Sequence, residues 1–231
     1  MLSYIREFIS GDVSFVELGV ILFSMLFVIF CAAPLHEFAH AFAAVKLGDN
    51  TPRLQGRLTI NPAVHIDPIG ALMILVCGFG YAKPVSVYMH NFKKPKVGMA
   101  IVALAGPVSN LIQSFIALVI CNLCSMLSVF TLINSTIIGY IMLFFSFAAQ
   151  INIGLAVFNL LPIPPLDGSR IATAVIPDKY YYKVMQYERY IQIALFALLF
   201  TNVLSVPLNY LSDIVFFGLN FIASLPFRLI G

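Results

Sequence analysis

The chain has 231 residues, 61% of them hydrophobic and 10% charged, with a formal net charge of +3 and a mean hydropathy of +0.97. A water-soluble domain carries roughly 25% charged residues, so this balance excludes one and calls for an all-α polytopic membrane protein. A basic patch with interleaved aromatics is missing, as is any nucleic-acid motif, so no nucleic-acid partner is expected.

In chain order, Met1 to Glu17 mixes Arg6, Glu7, Asp12 and Glu17 without a basic start and an apolar centre, and no cleavable signal peptide is expected. Leu18 to Leu35 carries no charge and is long enough to cross a hydrocarbon core of about 30 Å, which needs about 20 residues. The helix is expected to continue to about Leu47. Asn50 to Pro95 then departs from helical patterning, with Pro52, Gly56, Pro62, Pro68, Gly70, Gly78, Gly80 and Pro84 as interruptions. Its apolar piece, Ile69 to Phe79, is shorter than a span, and Tyr81 to Tyr88 alternates loosely like a strand, so a small re-entrant or β element is expected there. Such irregular backbone is tolerated at membrane depth only where protein covers it or a wet cavity adjoins it.

Val97 to Val129 and Ile137 to Leu166 read as the second and third spans. Ile191 to Leu225 is long enough to cross twice, with a break near Pro207, or once. The expected organisation is one membrane-embedded domain over residues 1–231, with a three-helix core at about 18–171 and further helices at about 190–227. Cys31, Cys77, Cys121 and Cys124 sit in apolar runs, where thiols act as small hydrophobes, and the lone C-x-x-C lacks the second pair a zinc ribbon needs.

Lys and Arg mark cytoplasmic loops. Lys46, Arg53, Arg57, Lys83, Lys93, Lys94 and Lys96 fall between the first two spans, and Arg170, Lys179, Lys183 and Arg189 follow the third. Both regions are therefore expected inside. Ser128 to Thr136, uncharged, is expected outside. Tyr180, Tyr181, Tyr182, Tyr187 and Tyr190 resemble an interfacial aromatic belt, for which no Trp is present.

Three proton-exchanging side chains interrupt the first span in HEFAH. His36 and His40 are four residues apart, share a helix face, and can direct ring nitrogens at one zinc ion; Glu37 stands beside them, suited to take a proton from metal-bound water. The alternative is a chance match, with both histidines hydrogen-bonded between helices. Ionisable groups in a span are costly and mark functional sites. A catalytic zinc has three protein ligands and one open position, so a third donor is needed. Asp167 in NLLPIPPLDGSR stands where Pro162, Pro164 and Pro165 break the helix and free the chain to turn a carboxylate inward. A solvated Asp in a helix-ending loop is the alternative, and the pairing with HEFAH favours ligation.

Taken together, HEFAHAFAAVKLGD, LTINPAVHIDPIG, AGPVSN and FNLLPIPPLDG resemble the site-2 protease family of intramembrane zinc metalloproteases (peptidase M50-like), in its short form without PDZ or CBS domains. The matching stretches run from about residue 31 to 171. The resemblance implies a zinc metalloendopeptidase with a three-helix catalytic core and one zinc ion per chain, held by His36, His40 and Asp167, with Glu37 as general base. The family pattern N-x-x-P-x-x-P-x-D-G maps onto Asn159, Pro162, Pro165, Asp167 and Gly168 and implies that Asn159 lies near the metal as a catalytic helper; its alternative role is a hydrogen bond between helices. The implied partner is a single-pass membrane-protein substrate within membrane lipid; the expected place is a bacterial cell membrane, with the site toward the cytoplasmic side by the placement of Lys and Arg. A homo-oligomer or a regulatory membrane partner is left open. His65 and Asp67 are weaker candidates, His90 reads as interfacial, Asn110 as structural beside a Gly106 that permits close helix approach, and Asn152 as packing. Two other classes compete: an inactive relative that binds membrane helices, and a permease using the same His and Asp to move a cation.

Overall fold

The computed structural model describes residues 8–77, 82–130, 135–172, 174–201 and 203–228. α1 (Phe15–Phe27) opens on Ser14, whose hydroxyl accepts from the Glu17 amide while the Glu17 carboxylate accepts from Ser14 N–H, a reciprocal cap for two of the unpaired donors at a helix start. One π-helical turn at Val28–Ala32 joins it to α2 (Ala33–Leu47). Its cause is Pro34, which cannot donate to the Phe30 carbonyl and crowds it, so the ladder shifts and Ala33 N–H bonds Val28 instead. α2 ends on Gly48 at φ +114°, a left-handed cap that suits a residue without Cβ.

Short helices follow: α3 (Thr51–Leu54), α4 (Pro62–His65) and α5 (Pro68–Cys77). Ala82 to Tyr88 has neither helix nor strand, and a single 3-10 turn covers Met89–Asn91. The remaining helices are α6 (Pro95–Phe130), α7 (Ser135–Asn159), α8 (Asp167–Ala172), α9 (Asp178–Met185), α10 (Glu188–Phe200) and α11 (Ser205–Arg228).

Among the described residues, four helical segments are long and apolar enough to cross a membrane: Phe15–Leu47, Pro95–Ser128, Ser135–Asn159 and Ser205–Arg228. The chain is an integral, all-α membrane protein, and the expected first three spans are present. Three expectations need correction. The third helix stops at Asn159, before Pro162, because the prolines that follow can neither donate to its last turn nor accept helical geometry in their predecessors. The C-terminal break falls between Phe200 and Ser205, and Pro207 sits in the first turn of α11, where its missing N–H costs no helical bond. α10, with 13 residues, reaches only about 20 Å and is too short to span.

The β element is the third correction: no strand occurs among the described residues, and Gly78 to Tyr81 lie outside them. The apolar piece forms α5, capped by Asp67, whose Oδ1 accepts from Ile69 and Gly70 N–H. Three amides along Ala82 to Tyr88 are spent elsewhere. Lys83 N–H bonds the His65 carbonyl, Val85 N–H a Glu37 oxygen and Tyr88 N–H an Asp49 oxygen.

The helices pack through small residues, which let membrane helices approach when lipid gives apolar surface no reason to associate. Ala32, Ala41, Ala44, Ala103, Ala148, Ala149, Ala156 and Ala223 are buried, whereas Phe23, Phe30, Phe42, Phe217 and Phe221 point outward where lipid would surround them. Polar contacts fix the levels: Ser24 Oγ donates to the Phe144 carbonyl at 3.1 Å, tying α1 to α7, and Asn122 Nδ2 donates to Asn220 Oδ1 at 3.0 Å, tying α6 to α11. Tyr187 and Tyr190 are exposed as a belt requires, while the side chains of Tyr180, Tyr181 and Tyr182 lie outside the described set.

Asp49, fully buried just past α2, binds the loop to that helix. Its carboxylate accepts from Thr51 N–H (3.0 Å) and Oγ1 (2.6 Å), Tyr88 N–H (2.7 Å) and Asn91 Nδ2 (2.8 Å). Burial alone would raise its pKa; the bonds from Thr51, Tyr88 and Asn91 outweigh it and hold the carboxyl below its ordinary value. A depressed folded pKa contributes stability above the unfolded value of about 3.9, and that contribution disappears as pH falls through the folded value. Asp49→Ala is expected to cost about 2 to 4 kcal/mol by leaving two backbone donors unpaired. In thermal unfolding of the detergent-solubilised protein, the gap between wild type and variant should hold from pH 7 to 5 and narrow below about pH 4.

Candidate metal centre

α2 delivers His36 and His40 from consecutive turns, so both rings lie on the face turned toward α6. The break between α7 and α8 returns Asp167 to them from 127 residues further along the chain than His40. Asp167 Oδ2 lies 3.3 Å from each Nε2, and the two Nε2 atoms are 3.0 Å apart. His36, Glu37 and His40 are all buried. Among the described residues His36, His40 and Asp167 form the one His/Cys/Asp/Glu group close enough to hold a metal ion.

The donor set fits zinc. Ligands at about 2.0 to 2.2 Å around a tetrahedral ion stand roughly 3.3 Å from one another, close to the separations seen. The electrostatics agree: two imidazole nitrogens and a carboxylate oxygen crowd one point in a buried site, an arrangement a shared cation relieves. His40 Nδ1 is 2.7 Å from the Val102 carbonyl, which can only accept, so Nδ1 carries the proton and Nε2 is left with its lone pair facing the site. His36 Nδ1 has no such partner among the described residues.

Room for an ion is secured by Gly106 of α6. A Cβ there would overlap both Nε2 atoms, so only glycine leaves the ligating ends uncovered. Gly168 has a parallel role beside Asp167, since a Cβ would run into the Leu160 and Leu161 carbonyls. That lets the D-G turn press against the end of α7. The sequence marks Gly106 only as a point of close helix approach; in the structure it approaches the imidazoles.

A cavity of about 490 Å3 adjoins the triad. His36, Glu37, His40, Asp167 and Asn159 all line it, so the five residues singled out from sequence share one space. Glu37 Oε2 accepts from Val85 N–H at 3.3 Å, which steadies the carboxylate beside the ligands. Asn110, Arg170, Glu188 and Gln192 line it as well. Glu188 and Gln192 stand one turn apart on α10, a spacing that by itself carries no functional signal. His65 is absent from the lining; it is buried and its Nε2 bonds the Thr59 carbonyl at 2.7 Å, clasping the loop, while Asp67 lines the cavity as the cap of α5. His90 is exposed.

Comparison with known proteins agrees with this geometry. The model of the family described as Peptidase family M50 matches residues 22–201. The chain is 46% identical over 161 residues to YwhC of Bacillus subtilis, covering 68% of this chain and 70% of that protein. It is 33% identical over 138 residues to Rip2 of Mycobacterium tuberculosis, covering 58% of this chain and half of that one. It is 29% identical over 162 residues to the zinc metalloprotease MJ0392 of Methanocaldococcus jannaschii, covering 70% of this chain and 36% of the relative. The names of the first two likewise class them with zinc metalloproteases. No solved structure matches the chain. With its histidine pair, its returning aspartate and a family match over most of its length, this chain belongs to peptidase family M50, the zinc metalloproteases.

Proposed function

We propose that the protein is an endopeptidase that cuts a single-pass membrane-protein substrate within or near its transmembrane segment. The observation that carries this reading is the convergence of His36, His40 and Asp167 beside Glu37 on a cavity among membrane helices. His36, His40 and Asp167 would hold one zinc ion. When bound, the ion would supply Lewis acidity, making a water easier to deprotonate near neutral pH and the scissile carbonyl more electrophilic.

Glu37 is the general base: it takes a proton from the attacking water and returns it to the leaving amine. The Val85 N–H keeps its carboxylate oriented for both transfers. Val102 holds the His40 ring in its ligating tautomer. Asn159, on the same cavity, is suited to donate an amide hydrogen to the oxyanion of the tetrahedral intermediate, a contribution of about 2 to 4 kcal/mol for one such donor.

A transmembrane helix hides its carbonyls in its own hydrogen bonds, so the substrate must unwind locally. Ala82 to Tyr88 borders the cavity through Ala82, Pro84, Val85 and Val87 without belonging to a helix or strand; with the amides of Lys83, Val85 and Tyr88 already committed, it lines the space an extended peptide would occupy and is not a free strand edge. The site faces the cytoplasm. From His40 to the end of α2 is only about 10 Å, and the loop beyond carries Arg53 and Arg57. The membrane in view is that of a bacterial cell.

The test is cleavage of a purified single-pass substrate in proteoliposomes. Activity is expected with about one zinc per chain, loss on treatment with a chelator, and recovery when zinc is returned. Full activity in metal-free protein would rule the reading out.

A further inference from the structure

Gly106 meets both imidazoles, and one turn further along α6 Asn110 lines the same cavity. Asn110 is 1% exposed, and its Oδ1 has no hydrogen-bond partner among the described residues. Asn152 of α7 is 2% exposed; its Nδ2 donates to the Ala148 carbonyl at 2.9 Å, and its Oδ1 is likewise without a partner.

The register of the two helices brings these amides to one level. Ser114 Oγ donates to the Ala149 carbonyl at 3.1 Å and Cys121 Sγ to the Met142 carbonyl at 3.5 Å, so seven residues forward on α6 match seven backward on α7. Continuing that step one turn from Ser114 sets Asn110 opposite Ile153, the neighbour of Asn152. The Ser114 hydroxyl nearby is already committed, donating to Ala149 and Asn110 carbonyls.

An amide oxygen can only accept, and buried acceptors at membrane depth require donors. A peptide N–H brings one hydrogen and could serve one amide; a water brings two. A hard cation wants six or more oxygens, more than two amides provide. We infer that Asn110 and Asn152 hold an ordered water between their Oδ1 atoms, behind the metal triad, and that this water is the reserve from which hydrolytic water is replaced. The inference rests on the peptidase reading. Each turnover breaks a C–N bond and forms a C–O bond, consuming one water: its hydroxyl goes to the acyl product and its remaining proton to the amine. While an extended peptide fills the open side of the cavity, the replacement comes from the side Asn110 occupies.

Asn152→Leu tests this, because Asn152 does not line the cavity and cannot touch substrate directly. The expected result is a kcat about tenfold lower with KM and zinc per chain unchanged. Asn152→Ser should restore most of kcat, since its hydroxyl can bond the Ala148 carbonyl as Ser114 bonds that of Asn110 and still accept from water. A high-resolution structure of the zinc-loaded protein should place one water within hydrogen-bond distance of both Oδ1 atoms. Unchanged kcat in Asn152→Leu, a kcat loss matched by zinc loss, or the two amides bonded directly to each other would each overturn the inference. If wild type cleaves nothing, the peptidase reading fails instead, and with it the role of the water.

Discussion

Glu37→Gln is expected to lower kcat on a reconstituted single-pass substrate by about a thousandfold or more while zinc stays at one per chain. Positioned acid–base groups contribute 10²- to 10⁴-fold, and in the proposed mechanism Glu37 acts in both proton transfers. The substitution is nearly isosteric. Its amide oxygen can still accept the Val85 N–H that now reaches Oε2, and neither His36 nor His40 loses a partner, so the metal site should survive. What disappears is the capacity to accept a proton. The same variant separates the competing classes: a permease using the His and Asp ligands would move its cation about as well without the base, and an inactive helix-binding protein would show no cleavage to lose. Activity within tenfold of wild type would remove Glu37 from the mechanism.

Gly106→Ala should empty the centre. The added Cβ would overlap the Nε2 atoms of both histidines, and neither ring has an easy escape, since His40 is anchored through Nδ1 to Val102 and both rings are buried. Displacing a ligating nitrogen by a few tenths of an ångström spoils a geometry that zinc sites hold to about 0.2 Å. Bound zinc should fall below about a tenth of an ion per chain and cleavage by at least about 100-fold, with helix content retained, since alanine is the better helix former. Gly154→Ala on α7 is the matched control, because a Cβ there meets nothing within 4 Å; zinc and activity should be unchanged. Full zinc occupancy in Gly106→Ala would show that the triad lies elsewhere than α6 dictates.

Much of this centre is legible in the sequence. His36 and His40 are four apart on a helix, and a period of 3.6 residues alone sets them on one face. Asp167 stands out because prolines must break the helix before it, although the break comes at Asn159 and not at Leu166. The strand expected at Tyr81 to Tyr88 failed for a reason alternation cannot reveal. A strand needs a ladder partner, and here Glu37, Asp49 and His65 take the amides of Val85, Tyr88 and Lys83. Asp49 left half a trace: Asp two residues before Thr after a helix-ending Gly announces an Asx turn, while its bonds to Tyr88 and Asn91 cross about 40 residues.

By itself the sequence determined the lipid-spanning helices, the histidine face, the glutamate beside it and an aspartate freed by prolines, because each follows from composition or from spacing within one local element. Only the tertiary structure decided that Gly106 makes room for the ion, that Asn110, Arg170, Glu188 and Gln192 join the cavity wall, and that α10 stops short of crossing. Those facts depend on how α2, α6, α7 and α10 slide and rotate against one another. In lipid that choice is made by small-residue contacts and a few hydrogen bonds such as Ser114 to Ala149, and hydropathy along a single chain cannot report it.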